Sequence, residues 1–216
     1  MLDVGCGPGA LTAELVRRLR PENVSAVDPS EPFVAAARER HPTVSVKQAT
    51  AEELPFEDAS FDAALAQLVV HFMADPVAGL REMGRVTRSG GVVAACVWDH
   101  EGDDGPLSLF WKGARQFDPD VTTEAGRAGS REGHLAQLLG DAGLAEIQDS
   151  KLSVRLRHET FDEWWEPYTL GVGPVGVYVA GLDDADKERL RESCRALLPP
   201  APFTLSIRAW AARGRA

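Results

Sequence analysis

Cysteine is scarce in this chain. Its three cysteines, Cys6, Cys96 and Cys194, lie far apart, are odd in number and never take a C-x-x-C spacing. Neither a disulfide framework nor a zinc site is suggested, and a reducing cytoplasm fits best. Positive charge is also in deficit, since 23 Lys and Arg face 33 Asp and Glu for a formal net charge of -10 and a pI near 5.0. A phosphate backbone is normally met by a Lys/Arg face, so a nucleic-acid partner is disfavoured. No apolar stretch approaches the roughly 20 residues that span a bilayer, and no basic segment leads into an apolar run of signal length, so no membrane partner is expected. Repeats, low-complexity tracts and coiled-coil heptads are missing as well. The 216 residues are enough to bury about 70% of the unfolded surface in one core, and a single domain over 1–216 is the simplest expectation.

What is present is an alternation of strand and helix patterns. "MLDV" reads as a strand, and Leu11, Leu15 and Leu19 then recur at four-residue spacing on a helix that Pro21 closes. "VSAV" is a second strand, and Ser30 is placed to cap a helix through "PFVAAARER" that ends at His41-Pro42. "TVSVK" and "FDAALAQLVV" supply two more strands, and "PVAGLREMGRV" is a helix opened by Pro76. Gly90-Gly91 predicts a turn into "VVAACVW", an apolar run typical of a strand buried on both faces. Leu107, Phe110, Trp111, Ala114 and Phe117 form a helical stripe. Ser130 is expected to cap a helix that Gly143 stops, before sixth and seventh strands in "LAEIQDSKLSVRL" and "FTLSIRAWAARG". Residues 1–97 therefore predict a doubly wound, mostly parallel α/β sheet. The excursion of about 40 residues between the last two strands is long for a compact fold and points to function.

The first strand-to-helix turn carries chemistry. Gly5, Gly7 and Gly9 allow backbone to approach a ligand with no Cβ in the way, and N–H groups at the head of the next helix favour negative charge. Asp28 ends the second strand about 20 residues later, where an acid accepts both hydroxyls of a ribose. An adenosine-type cofactor follows, and two candidates fit. Gly5-x-Gly7-x-x-Ala10 satisfies the dinucleotide fingerprint in its alanine form, which would make the protein a nicotinamide-dependent oxidoreductase. Against this, Asp3 would set a further negative charge beside a pyrophosphate. S-adenosylmethionine instead brings an ammonium and a sulfonium, which a carboxylate complements directly or through water.

The stretches "LDVGCGPG", "VDPSEPFVAAARE", "AEELPFEDASFDAALAQLVVHF" and "GLREMGRVTRSGGVVAACVWD" resemble, in order, the motifs of class I S-adenosylmethionine-dependent methyltransferases. The similarity is greatest to the small-molecule branch that includes ubiquinone and menaquinone biosynthesis enzymes. The resemblance implies a Rossmann-like, doubly wound seven-stranded sheet of order 3-2-1-4-5-7-6, strand 7 antiparallel, with helical lid insertions. By position it places Asp3, Gly5, Gly7 and Gly9 around the methionine portion, Asp28 on the ribose, and Pro29 and Ser30 beside the adenine. Ala51 and Glu52 would close the adenine pocket, Thr50 standing where relatives often carry an acid, and Gln67 and Leu68 would line the floor near the sulfonium. Relatives of this family have some tens of residues before the first strand. Either a longer natural N-terminus is implied, or the cofactor site is unusually open.

The implied activity is in-line methyl transfer to a small, largely apolar acceptor, with residues 1–99 as the cofactor-binding half and 100–129 and 158–202 as lid insertions on the substrate side. Candidate bases are His71, His100 and Tyr168. A lone histidine such as His71 on an apolar helix is more often a hydrogen-bonded core residue, and a polar loop such as Asp99-His100 after a strand is ordinarily just solvated. Trp98, Trp111, Trp164, Trp165 and Tyr178 either pack a core or form an apolar lid. No metal is expected, and the protein would be a monomer or homodimer. A non-catalytic or degenerate cofactor-binding protein is the alternative from another class.

Overall fold

The alternating pattern becomes a seven-stranded mixed sheet in the computed structural model, which describes residues 1–171 and 173–216. The strands are β1 (Leu2–Val4), β2 (Ser25–Asp28), β3 (Ser45–Gln48), β4 (Phe61–Gln67), β5 (Thr87–Trp98), β6 (Ala145–His158) and β7 (Phe203–Arg215). They lie in the expected order, β3-β2-β1-β4-β5-β7-β6. The pairs β1–β2, β1–β4, β2–β3 and β4–β5 are parallel. β7 reverses against β5: Gly90 N–H donates to the Ala216 carbonyl at 2.9 Å, whereas Asp99 N–H donates to Arg208 at 3.1 Å. The helices are α1 (Ala10–Arg18), α2 (Glu31–Arg40), α3 (Pro76–Val86), α4 (Ser108–Ala114), α5 (His134–Asp141), α6 (Phe161–Trp165), α7 (Gly173–Gly181) and α8 (Asp184–Leu197). No described helix is long and apolar enough to cross a membrane.

The chain divides into two compact units, the first comprising Met1–Trp98, Ala128–Lys151 and Trp210–Ala216 and the second Asp99–Arg127 and Leu152–Ala209. In the first, the period-2 alternation of the strands sorts side chains onto two faces. Leu2, Val4, Ala64, Ala66, Val93, Ala95 and Val97 meet α3 and α5 through Leu80, Met83, Val86, Leu135 and Leu139. Val24, Ala26 and Val46 belong instead to a cluster with Leu15, Val34 and Ala37 of α1 and α2. The second unit is built around aromatics, with Phe110, Trp111, Phe161, Trp164 and Trp165 packed with Leu190, Cys194, Val175 and Val179.

Several local expectations change. Ser30 stands at the N-cap of α2 but its side chain makes no cap bond. Pro32, at the second helical position, removes one of the N–H groups such a cap would receive. Ser130 is buried, and Gly133, at φ 76°, stands at the N-cap of α5 in its place. Gly90-Gly91 is no turn between elements. β5 runs through it from Thr87, and the register with β4 jumps from Phe61↔Thr87 to Ala63↔Val92. Gly90 bends there at φ 73°, and a Cβ on Gly91 would lie 2.5 Å from Thr87 Cγ2. Beyond the bulge only alternate residues of β5 are fully buried, so this strand is not sealed on both faces. Leu19 falls just outside α1 and is exposed. Asp75 and Pro76 do start α3 as expected, Asp75 accepting from Ala78 N–H at 2.9 Å.

The tightest helix contact of the second unit rests on a glycine. A Cβ on Gly113 of α4 would stand 2.7 Å from Cys194 Sγ and 3.2 Å from its backbone nitrogen in α8. Gly113→Ala is expected to destabilise the protein by about 1–3 kcal/mol, the overpacking outweighing the helix propensity gained. In urea denaturation, Gly113→Ala combined with Cys194→Ala should lose less than the sum of the single changes, whereas strict additivity would show that the contact is not what fails.

Candidate functional site

The loop after β1 is forced into shape by three left-handed residues, Gly5, Gly7 and Gly9, at φ 71°, 53° and 95°. Side-chain-bearing residues rarely adopt this region. Three hydrogen bonds fix the loop against β2: Gly5 and Cys6 N–H both donate to the Val27 carbonyl, at 2.8 and 2.9 Å, and Gly7 N–H donates to Asp28 Oδ2 at 2.8 Å. Asp28 Oδ1 accepts from Ser30 N–H at 2.9 Å, so one buried carboxylate organises both the glycine loop and the entry to α2.

Above these groups lies a cavity of about 550 Å3. Gly5, Gly7, Asp28, Pro29, Ser30, Thr50, Ala51 and Glu52 line it, which brings together eight of the twelve residues assigned to a cofactor from sequence. A Cβ on Gly7 would touch nothing within 4 Å, so the bare backbone there faces open space. Gly5 is different: its Cβ would strike Val69 at 2.8 Å, making this glycine a packing requirement of the cavity wall. Glu52 Oε1 accepts from Asp75 N–H at 3.2 Å, which ties this wall of the cavity to the start of α3.

The other four assigned residues stand elsewhere. Asp3 does not line the cavity; it is buried in β1, and its Oδ2 accepts from Thr12 Oγ1 at 2.7 Å, linking strand to helix. Burial pushes its carboxyl up to about 6, with the Thr12 hydrogen bonds opposing the shift. Gly9 heads α1, with His41 Nε2 3.2 Å from its carbonyl oxygen. Gln67 is exposed at the end of β4, and Leu68 turns the chain at φ 62° with its N–H on the Cys96 carbonyl at 2.8 Å. That turn hands the wall to Val69.

Sequence reasoning missed the apolar half of the cavity. Phe33, Val69, Phe72, Met73 and Ala74 line it, and Phe33 and Phe72 remain 46% and 62% exposed. Large aromatics left in solvent beside a concave site mark a ligand surface. The available signal is the apolar "LVVHFM" after β4, of which sequence reasoning singles out only Leu68 and His71.

The candidate bases are divided between the two units. His71 belongs to the first unit, its ring 4.0 Å from that of Phe72, and it does not line the cavity. His100 lines a separate cavity of about 280 Å3 in the second unit, where burial pushes its imidazole down. Tyr168 donates its hydroxyl to the Pro106 carbonyl at 3.2 Å, and burial raises its phenol well above the ordinary value, which removes it as a base at neutral pH. Among the substrate-side aromatics, Trp164 and Trp165 are core of the second unit and line none of these cavities. Tyr178 packs at the same core with its hydroxyl 3.1 Å from Asp118 Oδ2, and Trp98 is half-buried at the end of β5. Trp111 lines the cavity that holds His100.

A family profile described as "Methyltransferase domain" matches residues 2–95. The chain is 32% identical over 151 residues to a probable S-adenosylmethionine-dependent methyltransferase of Mycobacterium tuberculosis, covering 68% of this chain and 49% of that protein. It is 37% identical over 99 residues to the chloroplastic 2-methyl-6-phytyl-1,4-hydroquinone methyltransferase 2 of Oryza sativa, covering 45% of this chain and 28% of the relative. The chain thus spans less than half the length of these curated relatives. Its fold matches that of the YcgJ protein of Bacillus subtilis with a TM-score of 0.62 at 21% identity, over 99% of this chain and 90% of the other.

The burial of Asp3 has a measurable consequence. Its carboxyl holds a proton up to about pH 6 when folded but only to about 3.8 when unfolded, so between these values the folded state binds the proton more tightly. This stabilising contribution is full below the unfolded value and is lost as pH rises through 6. Asp3→Asn keeps an acceptor for Thr12 without the charge. The stability of this variant relative to wild type should rise by about 2–3 kcal/mol from pH 4 to pH 7 in denaturant titrations. An unchanged difference would mean that Asp3 titrates as it does in water.

Proposed function

Residues 2–95 belong to the methyltransferase-domain family, of the class I S-adenosylmethionine-dependent kind, and from that membership we propose that the chain transfers the cofactor's methyl group to a small, largely apolar acceptor. The observation that carries this reading is the Asp28 carboxylate, held by Gly7 and Ser30 N–H groups at the wall of an open cavity beside bare glycine backbone. Bound S-adenosylmethionine supplies an electrophilic methyl group for in-line displacement. The residues present fit it. Asp28 has lone pairs left for the two ribose hydroxyls. Pro29, Ser30, Thr50, Ala51 and Glu52 bound the adenine side, and Phe33, Val69 and Met73 offer apolar walls. The contribution of the chain is to hold the reacting groups collinear and dry.

An acceptor that is small and largely apolar is supported by the acidic net charge, by the exposed Phe33 and Phe72 at the cavity, and by a relative named for a phytyl hydroquinone. Where the acceptor must lose a proton, His71 and His100 are the candidates that remain after the loss of Tyr168. The nicotinamide reading is not favoured, since the one feature behind it, Gly5-x-Gly7-x-x-Ala10, lies inside the methyltransferase match.

The test is isothermal titration with S-adenosylhomocysteine and, separately, NADH. S-adenosylhomocysteine should bind and NADH should not, and Asp28→Ala should weaken the binding about a hundredfold or more, as expected for losing two hydrogen bonds to a charged group. NADH binding, or S-adenosylhomocysteine binding indifferent to Asp28, would sink the assignment. Binding with no turnover across an acceptor panel would favour the non-catalytic alternative.

A further inference from the structure

Helix α2 meets the site of the first unit at both of its ends. At its entry, Ser30 N–H donates to Asp28 Oδ1 at 2.9 Å. At its exit, two adjacent residues reach back to the glycine loop: Arg40 Nη1 donates to the Pro8 carbonyl at 3.1 Å, and His41 Nε2 stands 3.2 Å from the Gly9 carbonyl oxygen. A carbonyl only accepts, so this bond assigns the ring hydrogen of His41 to Nε2. The backbone N–H of His41 is spent on the Ala37 carbonyl at 2.9 Å, and Pro42 ends the helix there. The end of α2 and the imidazole thus serve different partners.

The inner arm of the loop is tied to β2, by Gly5 and Cys6 on the Val27 carbonyl and by Gly7 on Asp28. Its outer arm, Pro8 and Gly9, is what Arg40 and His41 hold. The Gly9 carbonyl takes two donors, Ala13 N–H at 2.9 Å and the His41 ring, so His41 grips the residue at which the loop becomes α1. The backbone makes room for the ring: a Cβ on Gly9 would lie 2.9 Å from His41 Cδ2. A loop with three glycines has many conformations to lose when a ligand orders it. Each anchor already in place reduces that loss and tightens binding.

We propose that His41, assisted by Arg40, is a positioning residue for the cofactor, holding the glycine loop from outside so that Gly7 N–H stays on Asp28 and the carboxylate keeps its orientation toward the ligand. This rests on the reading of the cavity as an S-adenosylmethionine site. It adds that affinity is set in part by a side chain that does not line the cavity.

Isothermal titration of the whole chain with S-adenosylhomocysteine, on wild type, His41→Ala, His41→Asn and His41→Gln, tests this. The glutamine amide reaches about as far from the backbone as Nε2, whereas that of asparagine stops near the place of Nδ1. His41→Ala and His41→Asn should weaken binding about fivefold or more, and His41→Gln should stay within about twofold of wild type. In the unliganded protein, the Gly7 amide should exchange with deuterium about fivefold faster or more in His41→Ala than in wild type or His41→Gln. Unchanged affinity in His41→Ala, equal weakening by Gln and Asn, or a lowered urea midpoint with affinity intact overturns the proposal. So does an unchanged exchange rate at Gly7. If the wild type itself fails to bind, the cofactor reading falls, while the exchange rates still decide whether His41 holds the loop. If His41→Ala does not fold, the difference between Gln and Asn decides.

Discussion

The site in the first unit depends on how the glycine loop is tied to β2. Two N–H groups converge on one carbonyl, that of Val27, and a third reaches the Asp28 side chain one residue further on. That convergence demands a loop tighter than side chains permit, hence positive φ at Gly5 and Gly7. In return, the carboxylate is oriented before any ligand arrives. Both of its oxygens spend one lone pair inward, on Gly7 and Ser30, and keep the remainder for a ligand. A longer acid at position 28 would push the loop away, and an amide would set a donor against one of the two N–H groups. Preorganisation of this sort lowers the ordering cost of binding.

The two cavities show how burial, more than composition, assigns roles to acids. Both contain buried aspartates in an acidic chain, yet Asp28 has both oxygens satisfied by backbone whereas Asp99 has one. Asp3 is a third case, a carboxylate whose hydroxyl partner sits within the protein and whose role is to join β1 to α1. From sequence these three differ only in neighbours. In the structure they differ in what each oxygen touches, and that is what decides their chemistry.

Much of residues 1–98 was legible because strand alternation, glycine turns and an acid at a fixed offset report local constraints. The strand order, including the reversal at β7, came with the family resemblance and is what the structure has. Less local features were not legible. Gly90-Gly91 looks like a turn until Asp62 and Thr87 are seen crowding Gly91 inside a strand. Phe33 and Met73 are unremarkable in their own segments, and only the tertiary fold sets both on one cavity. From sequence, Trp164 and Trp165 could pack a core or face a ligand as part of a lid. Stacking with Phe161 and Phe110 answers that.

The partition of the chain also bears on the order in which the protein can assemble. Trp210 and Ala212 belong to the core of the first unit, yet they follow the whole of the second unit in sequence. A ribosome delivering residues one by one must therefore finish the second unit before the first can close its core. The early strands β1 to β5 wait meanwhile with part of their apolar surface uncovered, a state that exposes a growing chain to misassociation. The long sequence separation between β5 and its partner β7 makes the same step slow for the complete chain, because loop closure must precede the contacts that reward it.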